Sequence, residues 1–436
     1  MNNISFILFG GTGDLTKKKL AKAISLVSEK EKIKINLTSI GRKDFNDETY
    51  KKFLGVKFHK NVKIKYFKAD FSKKESFSSL EQQIKNFEDN KTIGRIFYLA
   101  TSYDYFETIS EIIKQITHES GFTRIMFEKP FGESLESFKK LDKSIKKNFK
   151  EEQIFRVDHY LAKETVDSIL LMRFSNPLFE NVWNSKFVDK IKIIVKEDEG
   201  VKERIEYYEK AGAIKDMIQS HLLQILTFIL MDAPKTIEEK HILKEKIIAL
   251  KKIRFKGKLQ TGQYENYKEE AKKQSNTETF AEVHLESRSK RWKGTEIILL
   301  TGKNINEKQA HITLEFKKEP CILYCNFDSA PNKLVFWIQP KQNVELTMNA
   351  KIPGENPKID KVRMSFNPES KFQGNNAEGY EIIISECLKG NKSIFLSSEI
   401  LKESWKITDK IIKKSKSMYP VIYKKGTEGP KWNSNK

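Results

Sequence analysis

The most constraining stretch of the sequence is its beginning. An apolar run, Ser5-Phe6-Ile7-Leu8-Phe9, stops at Gly10-Gly11-Thr12-Gly13-Asp14-Leu15, and a lysine-rich segment of helical character follows from Thr16 to Val27. Strand, glycine-rich turn and helix in this order predict a βα unit. Glycines at the turn let the backbone approach a pyrophosphate closely, and the first amides of the helix supply donors and a favourable dipole. The pattern departs from GxGxxG, because Thr16 takes the third glycine's place in the Gly11 frame. Taken alone, an ordinary tight βα turn explains it about as well.

The following segments extend the alternation. A second apolar stretch, Ile33 to Ile40, ends at Gly41-Arg42, and further strands are expected at Val62–Lys68, Ile96–Ala100 and Arg124–Phe127. Helical segments are expected at Ser76–Phe87 and Phe106–Ile116. Alternating β and α elements predict an α/β Rossmann-type domain with a parallel, doubly wound sheet. In that fold an acidic residue at the end of the second strand favours NAD, whereas an arginine accepts the 2′-phosphate of NADP in a charge-assisted fork. Arg42 stands there. The last of the later strands runs into Glu128-Lys129-Pro130-Phe131-Gly132, at the carboxyl edge where this fold places ligand contacts.

Composition narrows the partners. Among 436 residues, 80 Lys and Arg against 59 Asp and Glu leave a formal charge of +21. Such a surplus fits nucleic acid, an acidic membrane surface or small anionic ligands. The lysines are interspersed with Glu and Asp, and the mixture from Glu238 to Lys273 reads as exposed helices and loops. No RNA-binding aromatic motif, zinc-finger spacing or basic heptad occurs, so no nucleic-acid partner is expected. No apolar run reaches the roughly 18–20 residues of a spanning helix, and the N-terminus lacks the basic start of a signal peptide. The three cysteines, Cys321, Cys325 and Cys387, form neither a disulfide framework nor a zinc pattern. The first two read as buried or half-buried thiols. A soluble cytoplasmic protein without a membrane partner is the expectation.

Two of the seven histidines sit in dense chemical contexts. Phe155-Arg156-Val157-Asp158-His159-Tyr160-Leu161-Ala162-Lys163-Glu164 gathers a carboxylate, an imidazole, a phenol and an ammonium within six residues. His159 and Lys163, four apart, suit a phosphate clamp on one helical face. Asp216-Met217-Ile218-Gln219-Ser220-His221 opens an apolar stretch, where a histidine is more often a hydrogen-bonded core residue than a catalyst. Oxidising an alcohol or hemiacetal needs a base for the hydroxyl proton, and histidine titrates near neutrality. A carboxylate on its other nitrogen orients the ring. Asp158 and His221 suit such a dyad, but spacing alone does not pair them.

Taken together, the motifs resemble the glucose-6-phosphate dehydrogenase family. The similar segments are FGGTGDLTKKKL (9–20), RIFYLA (95–100), FEKPFG (127–132), FRVDHYLAKE (155–164), RFSNPLFENVWN (173–184) and EYYEKAGAIKDMIQSHLLQ (206–224). FAEVHLESRSKRWKG (280–294), TGKNINEKQAHITLEFK (301–317), YEIIISECLKG (380–390) and KKGTEGP (424–430) come next in order. The resemblance implies that His221 is the general base and Asp158 its carboxylate partner. It implies that His159, Tyr160 and Lys163 hold the substrate phosphate, and that Lys129 lies between sugar and nicotinamide, touching both. Glu197 and Asp216 would bond sugar hydroxyls, and Lys303 and Lys308 would supply further basic contacts. Gly10, Gly11, Thr12, Gly13, Asp14 and Leu15 would form the cofactor loop, with Arg42 on the 2′-phosphate. The implied reaction converts D-glucose 6-phosphate and NADP, or more weakly NAD, to 6-phosphoglucono-δ-lactone and the reduced cofactor, with no metal required. The implied organisation is an NADP-binding domain at 1–156 and an α+β domain with a large, mostly antiparallel sheet at 157–436. The same resemblance implies a homodimer or a dimer of dimers.

Lys190–Lys196, Phe280–Ser287, Thr295–Leu300, His311–Phe316 and Lys333–Gln339 read as strands of that sheet, and Ser398 to Lys414 as a helix. Several residues depart from the family's pattern. Thr101-Ser102-Tyr103 lacks the prolines usual after the fourth strand, Ala162 replaces a glycine, Ser220 an asparagine and Leu300 an arginine. The chain also reads as short for the family, mostly between Asp232 and Phe280. Three alternatives stay open on the sequence. One is another Rossmann-plus-sheet sugar oxidoreductase carrying an EKP motif. The others are a basic polyanion-binding protein and a catalytically silent relative.

Overall fold

The first strand, β1 (Asn3–Phe9), is buried along its whole length, as expected for a strand covered on both faces of a parallel sheet. In the computed structural model, which describes residues 3–89, 91–117, 121–318, 330–354, 358–367 and 379–431, it lies inside a six-stranded sheet. Its companions are β2 (Lys34–Gly41), β3 (Val62–Lys68), β4 (Thr92–Leu99), β5 (Phe122–Phe127) and β6 (Ile154–Arg156). Their order is β3-β2-β1-β4-β5-β6, and every pairing is parallel. The sheet belongs to a unit comprising Met1–Ala162 and Asn376–Lys402. The expected α/β class is therefore observed. β6 has only three residues, too few to show a pattern in the sequence.

The intervening helices begin and end as their sequences dictate. Helix Asp47–Leu54 is capped by Asn46, whose side chain accepts from Thr49 N, and stops at left-handed Gly55. Helix Leu135–Lys146 starts at a Ser134–Ser137 capping box. The segment expected to be helical from Thr16 starts with a π-helical turn, Thr16–Leu20, before the regular helix Ala21–Lys30.

The second unit, Lys163–Asn375 and Glu403–Lys436, holds a nine-stranded sheet. Its strands are β7 (Val188–Lys196), β8 (Ile253–Tyr264), β9 (Phe280–Ser287), β10 (Glu296–Gly302), β11 (Gln309–Phe316), β12 (Lys333–Gln339), β13 (Asn343–Lys351), β14 (Ile359–Phe366) and β15 (Val421–Tyr423). The order is β14-β13-β12-β11-β7-β10-β9-β8-β15. Two pairings, β10 with β7 and β15 with β8, are parallel and the rest antiparallel. The expectation of exposed helices and loops from Glu238 to Lys273 does not hold. Helix Glu239–Lys252 leads into β8, whose last six residues are all buried. The lysine-rich first half of β8 conceals it in the sequence. Cys321 and Cys325 lie outside the described residues, and Cys387 is a buried free thiol. No helix among the described residues is long and apolar enough to cross a membrane.

One buried cation holds the end of the first sheet. Arg156, almost fully enclosed, donates to Asp142 at 2.6 Å and to Glu151 at 2.7 Å. Ser398 bonds the same two carboxylates, through its amide to Glu151 and its hydroxyl to Asp142. Although burial opposes it, Arg156 and its neighbours hold the Glu151 carboxyl down at about 2. Arg156→Ala is expected to destabilise the fold by about 3–5 kcal/mol, because it strands two carboxylates in a partly dry site. Glu151 is ionised in the folded state before it is in the unfolded state, so its contribution is present above pH 4.5 and lost as pH falls toward 2. Acid denaturation followed by circular dichroism should be displaced in Glu151→Gln within that window.

Candidate functional site

The turn after β1 is shaped by close backbone approach. Gly10 has φ +92°, and a Cβ there would lie 2.3 Å from Ala100 O, so no L side chain fits. Gly10 N and Gly11 N both donate to Ile40 O, at 3.0 and 2.7 Å, and Gly13 N donates to Gly10 O. The Thr16 hydroxyl donates to Gly10 O at 3.0 Å. The residue in the third glycine's place thus closes the turn with its own side chain. Thr12 lies over Gly41, where a Cβ would come within 2.8 Å of its methyl, and exposed Arg42 is next in the chain. Asp14 is exposed and pairs with Lys18, and Leu15 is half-buried. The first unit therefore gathers Gly10 to Leu15 and Arg42, with helix-start amides beside a cation. That set suits a phosphorylated dinucleotide.

The loops after β4 and β5 are tied to each other. Tyr103 OH donates to Glu133 at 2.8 Å, and burial with this carboxylate pushes its phenol up to about 12. The Thr101-Ser102-Tyr103 loop, although without proline, is thus braced against the segment that carries Lys129. Lys129 is half-exposed and precedes a cis proline. Beneath it, Glu128 is 9% exposed and accepts from Tyr98 OH at 2.5 Å. Burial pushes the Glu128 carboxyl up to about 7, with Asp158 adding to the rise and Tyr98 and Lys129 opposing it.

The segment after β6 is held by Val157 N donating to Phe127 O. Asp158 is 2% exposed, and its Oδ1 accepts from Tyr160 N at 2.9 Å. The half-buried His159 ring packs against that of Tyr160, with centroids 5.0 Å apart. The Ala162 methyl lies 3.9 Å from where a Cβ on Gly379 would sit.

In the second unit, Lys163 is half-buried and precedes helix Glu164–Phe174. Another set of candidates meets around Tyr208. Lys303, 9% exposed, donates to Glu197, and its ammonium lies 5.4 Å from the Tyr208 ring centre. Tyr207 OH donates to buried Asp216 at 3.1 Å. Burial raises the Tyr208 phenol well above its ordinary value, helped by Asp216, Glu278 and Glu197. Asp216 and His221, the latter 1% exposed, share the π-helical segment Ile214–Leu222. Lys308 is exposed. Leu300, in place of the family's arginine, packs against the cluster of Val201, Tyr208, Tyr264, Tyr267, Phe280, Ile305 and Tyr423. Ser220, in place of asparagine, donates to Lys215 O. Asp158 and His221 belong to different units.

The family model for the glucose-6-phosphate dehydrogenase NAD binding domain matches residues 7–168, and that for its C-terminal domain matches residues 170–435. The chain belongs to the glucose-6-phosphate dehydrogenase family. A curated family member from Borreliella burgdorferi, named glucose-6-phosphate 1-dehydrogenase, is 32% identical over 99% of this chain and 96% of its own length. One from Buchnera aphidicola subsp. Schizaphis graminum, of the same name, is 35% identical over 98% and 94%. A solved structure described as glucose-6-phosphate dehydrogenase in complex with its substrate glucose-6-phosphate matches with a TM-score of 0.91. It is 27% identical and covers 98% of this chain and 96% of that one. A UDP-N-acetylglucosamine 3-dehydrogenase from Acidithiobacillus ferrooxidans, 9% identical with a TM-score of 0.51 over 94% and 96%, shares only the fold.

Sequence reasoning passes over Tyr98, Glu128 and Tyr208. The first two are interior letters of RIFYLA and FEKPFG, and their importance comes from adjacent parallel strands. Glu128 carries a pH signature. Its folded-state pKa, about 7, lies above the ordinary 4.5, so its cost to stability sets in as pH rises past 4.5 and is complete above about 7. Relative to wild type, Glu128→Gln should therefore gain stability from pH 5 to pH 8, by roughly 3 kcal/mol at most. Thermal denaturation at the two pH values reads this difference.

Proposed function

We propose that this chain is an NADP-dependent glucose-6-phosphate 1-dehydrogenase. It would oxidise C1 of D-glucose 6-phosphate to 6-phosphoglucono-δ-lactone, with NAD as a weaker acceptor. The carrying observation is the gathering of Glu197, Lys303 and Asp216 about Tyr207 and Tyr208, in the unit whose helix also bears His221. These groups offer both donors and acceptors to sugar hydroxyls.

In this reading the buried His221 imidazole takes the proton of the anomeric hydroxyl. The dinucleotide, held by the Gly10 to Leu15 turn, Arg42 and Lys129, would supply the acceptor for the hydride leaving C1, so that the deprotonated C1 oxygen would become the lactone carbonyl. Asp158 orients the ring and stabilises its charged form. This pairing rests on the family motif, not on a distance within either unit. His159, Tyr160 and Lys163 hold the phosphate, Glu197, Asp216, Lys303 and Lys308 hold the sugar, and Lys129 serves sugar and nicotinamide. The turn from Gly10 to Leu15 takes the pyrophosphate and Arg42 the 2′-phosphate. The division at residue 156 assigns 1–156 to the cofactor, with Lys129 reaching the sugar as well, and 157–436 to the substrate. A cytoplasmic homodimer or dimer of dimers completes the reading.

Absorbance of reduced nicotinamide, measured with glucose 6-phosphate and with free glucose, each with NADP and NAD, tests it. Turnover should need the phosphorylated sugar and favour NADP; a folded sample inactive in all four mixtures overturns it. His221→Ala should lower kcat by about 10²–10⁴-fold with little change in the cofactor KM. Arg42→Ala should raise the KM for NADP by at least tenfold while that for NAD changes less than threefold. Steady-state kinetics with each cofactor check both variants.

A further inference from the structure

The segment bearing Asp216 and His221 starts at an irregular corner. Helix Ile205–Ala213 is interrupted at Gly212, with φ 61° and ψ 178°, before the π-helical segment Ile214–Leu222 begins. A Cβ on Gly212 would lie 2.4 Å from Glu278 Oε1. The carboxylate of Glu278 therefore occupies the room left by the missing side chain. From there its Oε1 accepts from Ile214 N at 3.1 Å, while its backbone carbonyl accepts from Ala213 N at 2.9 Å. These two bonds tie consecutive amides of the corner to one residue 64 positions away.

The next residue serves the other side of the same cluster. Thr279, fully buried, accepts from Lys303 N through its carbonyl at 3.0 Å and donates its own amide to Gly262 O of β8. Glu278 and Thr279 thus connect the helix of Asp216 and His221 to the backbone of Lys303, across the entrance to β9.

We propose that Glu278 is a positioning residue, whose carboxylate caps Ile214 and thereby fixes where Asp216 and His221 present their side chains. This rests on the proposed roles of His221 and Asp216. Reach, not charge, is the operative property. Burial pushes the carboxyl up to about 7, opposed by its bonds to backbone amides and by Lys215, so it serves at neutral pH in both protonation states. An amide oxygen at the same place accepts equally well.

Three variants separate reach from charge. Glu278→Asp keeps the charge and withdraws the acceptor by one methylene, Glu278→Gln keeps the reach without the charge, and Glu278→Ala removes both. The expected result is a loss of kcat of at least tenfold in E278D and E278A, with the NADP KM unchanged, and recovery to within threefold of wild type in E278Q. Hydrogen exchange at the Ala213 to Asp216 amides should quicken at least tenfold in E278D and remain near wild type in E278Q. Wild-type kcat in E278D, or equal losses in E278Q and E278A, overturns the proposal. Inactivity of the wild type would instead overturn the functional reading. The exchange measurement still decides in that case, since unaltered exchange in folded E278D removes the capping role. E278D retains a carboxylate, so it and E278Q give the answer even if E278A does not fold.

Discussion

The first unit depends on the register of its parallel strands. Phe9 stands opposite Ile40 on one side and Leu99 on the other, Leu99 opposite Phe127, and Phe127 opposite Arg156. Five strands therefore end in one row. Each of the five runs directly into a candidate site segment: the glycine turn, Gly41-Arg42, Ala100-Thr101, Glu128-Lys129 and Val157-Asp158. The row gives them a common edge, and ties such as Ala100 N to Phe9 O and Tyr103 to Glu133 keep it in place.

The second unit uses an apolar floor instead of a strand row. Tyr208 belongs to an aromatic cluster with Tyr264, Tyr267, Phe280 and Tyr423, and the charged candidates stand at its margin. Lys303 is held from below, where its carbonyl accepts from Tyr423 OH at 2.6 Å. Its ammonium meets Glu197 beside the Tyr208 ring. Leu300 fits this arrangement, since the leucine adds to the floor instead of to the charge.

Most of the architecture is legible where burial leaves a simple signature. β3, β9 and β12 have the bounds that their apolar patterns predict. β8 is hidden because, after buried Ile253, five half-exposed or exposed residues, two of them lysines, precede its continuous buried part, and that part includes Gln260, Thr261 and Gln263. β13 alternates polar and apolar residues from Asn343 to Lys351 and β14 does so from Val362 to Phe366, yet neither is among the expected strands; β13 has no fully buried residue, and β14 is exposed except at Ile359. At the site, contiguous motifs disclose Asp158, His159 and the glycine turn. Glu278 does not show itself, because its meaning lies in Gly212 and Ile214, which no local spacing links to it. The family resemblance supplies the role of His221, whose local context alone favours an ordinary core histidine.

The row of strand ends also restricts how the length of the chain can change. One residue added within β4 would turn Tyr98 to the opposite face and shift Ala100 along the strand. Tyr98 would leave Glu128, and the carbonyl that confronts Gly10 would be displaced. Two segments far apart in sequence would be damaged together. Additions beyond the row, in the helices and their connections, leave that alignment untouched. The glycine turn is thus guarded less by its own letters than by the length of a strand about ninety residues later.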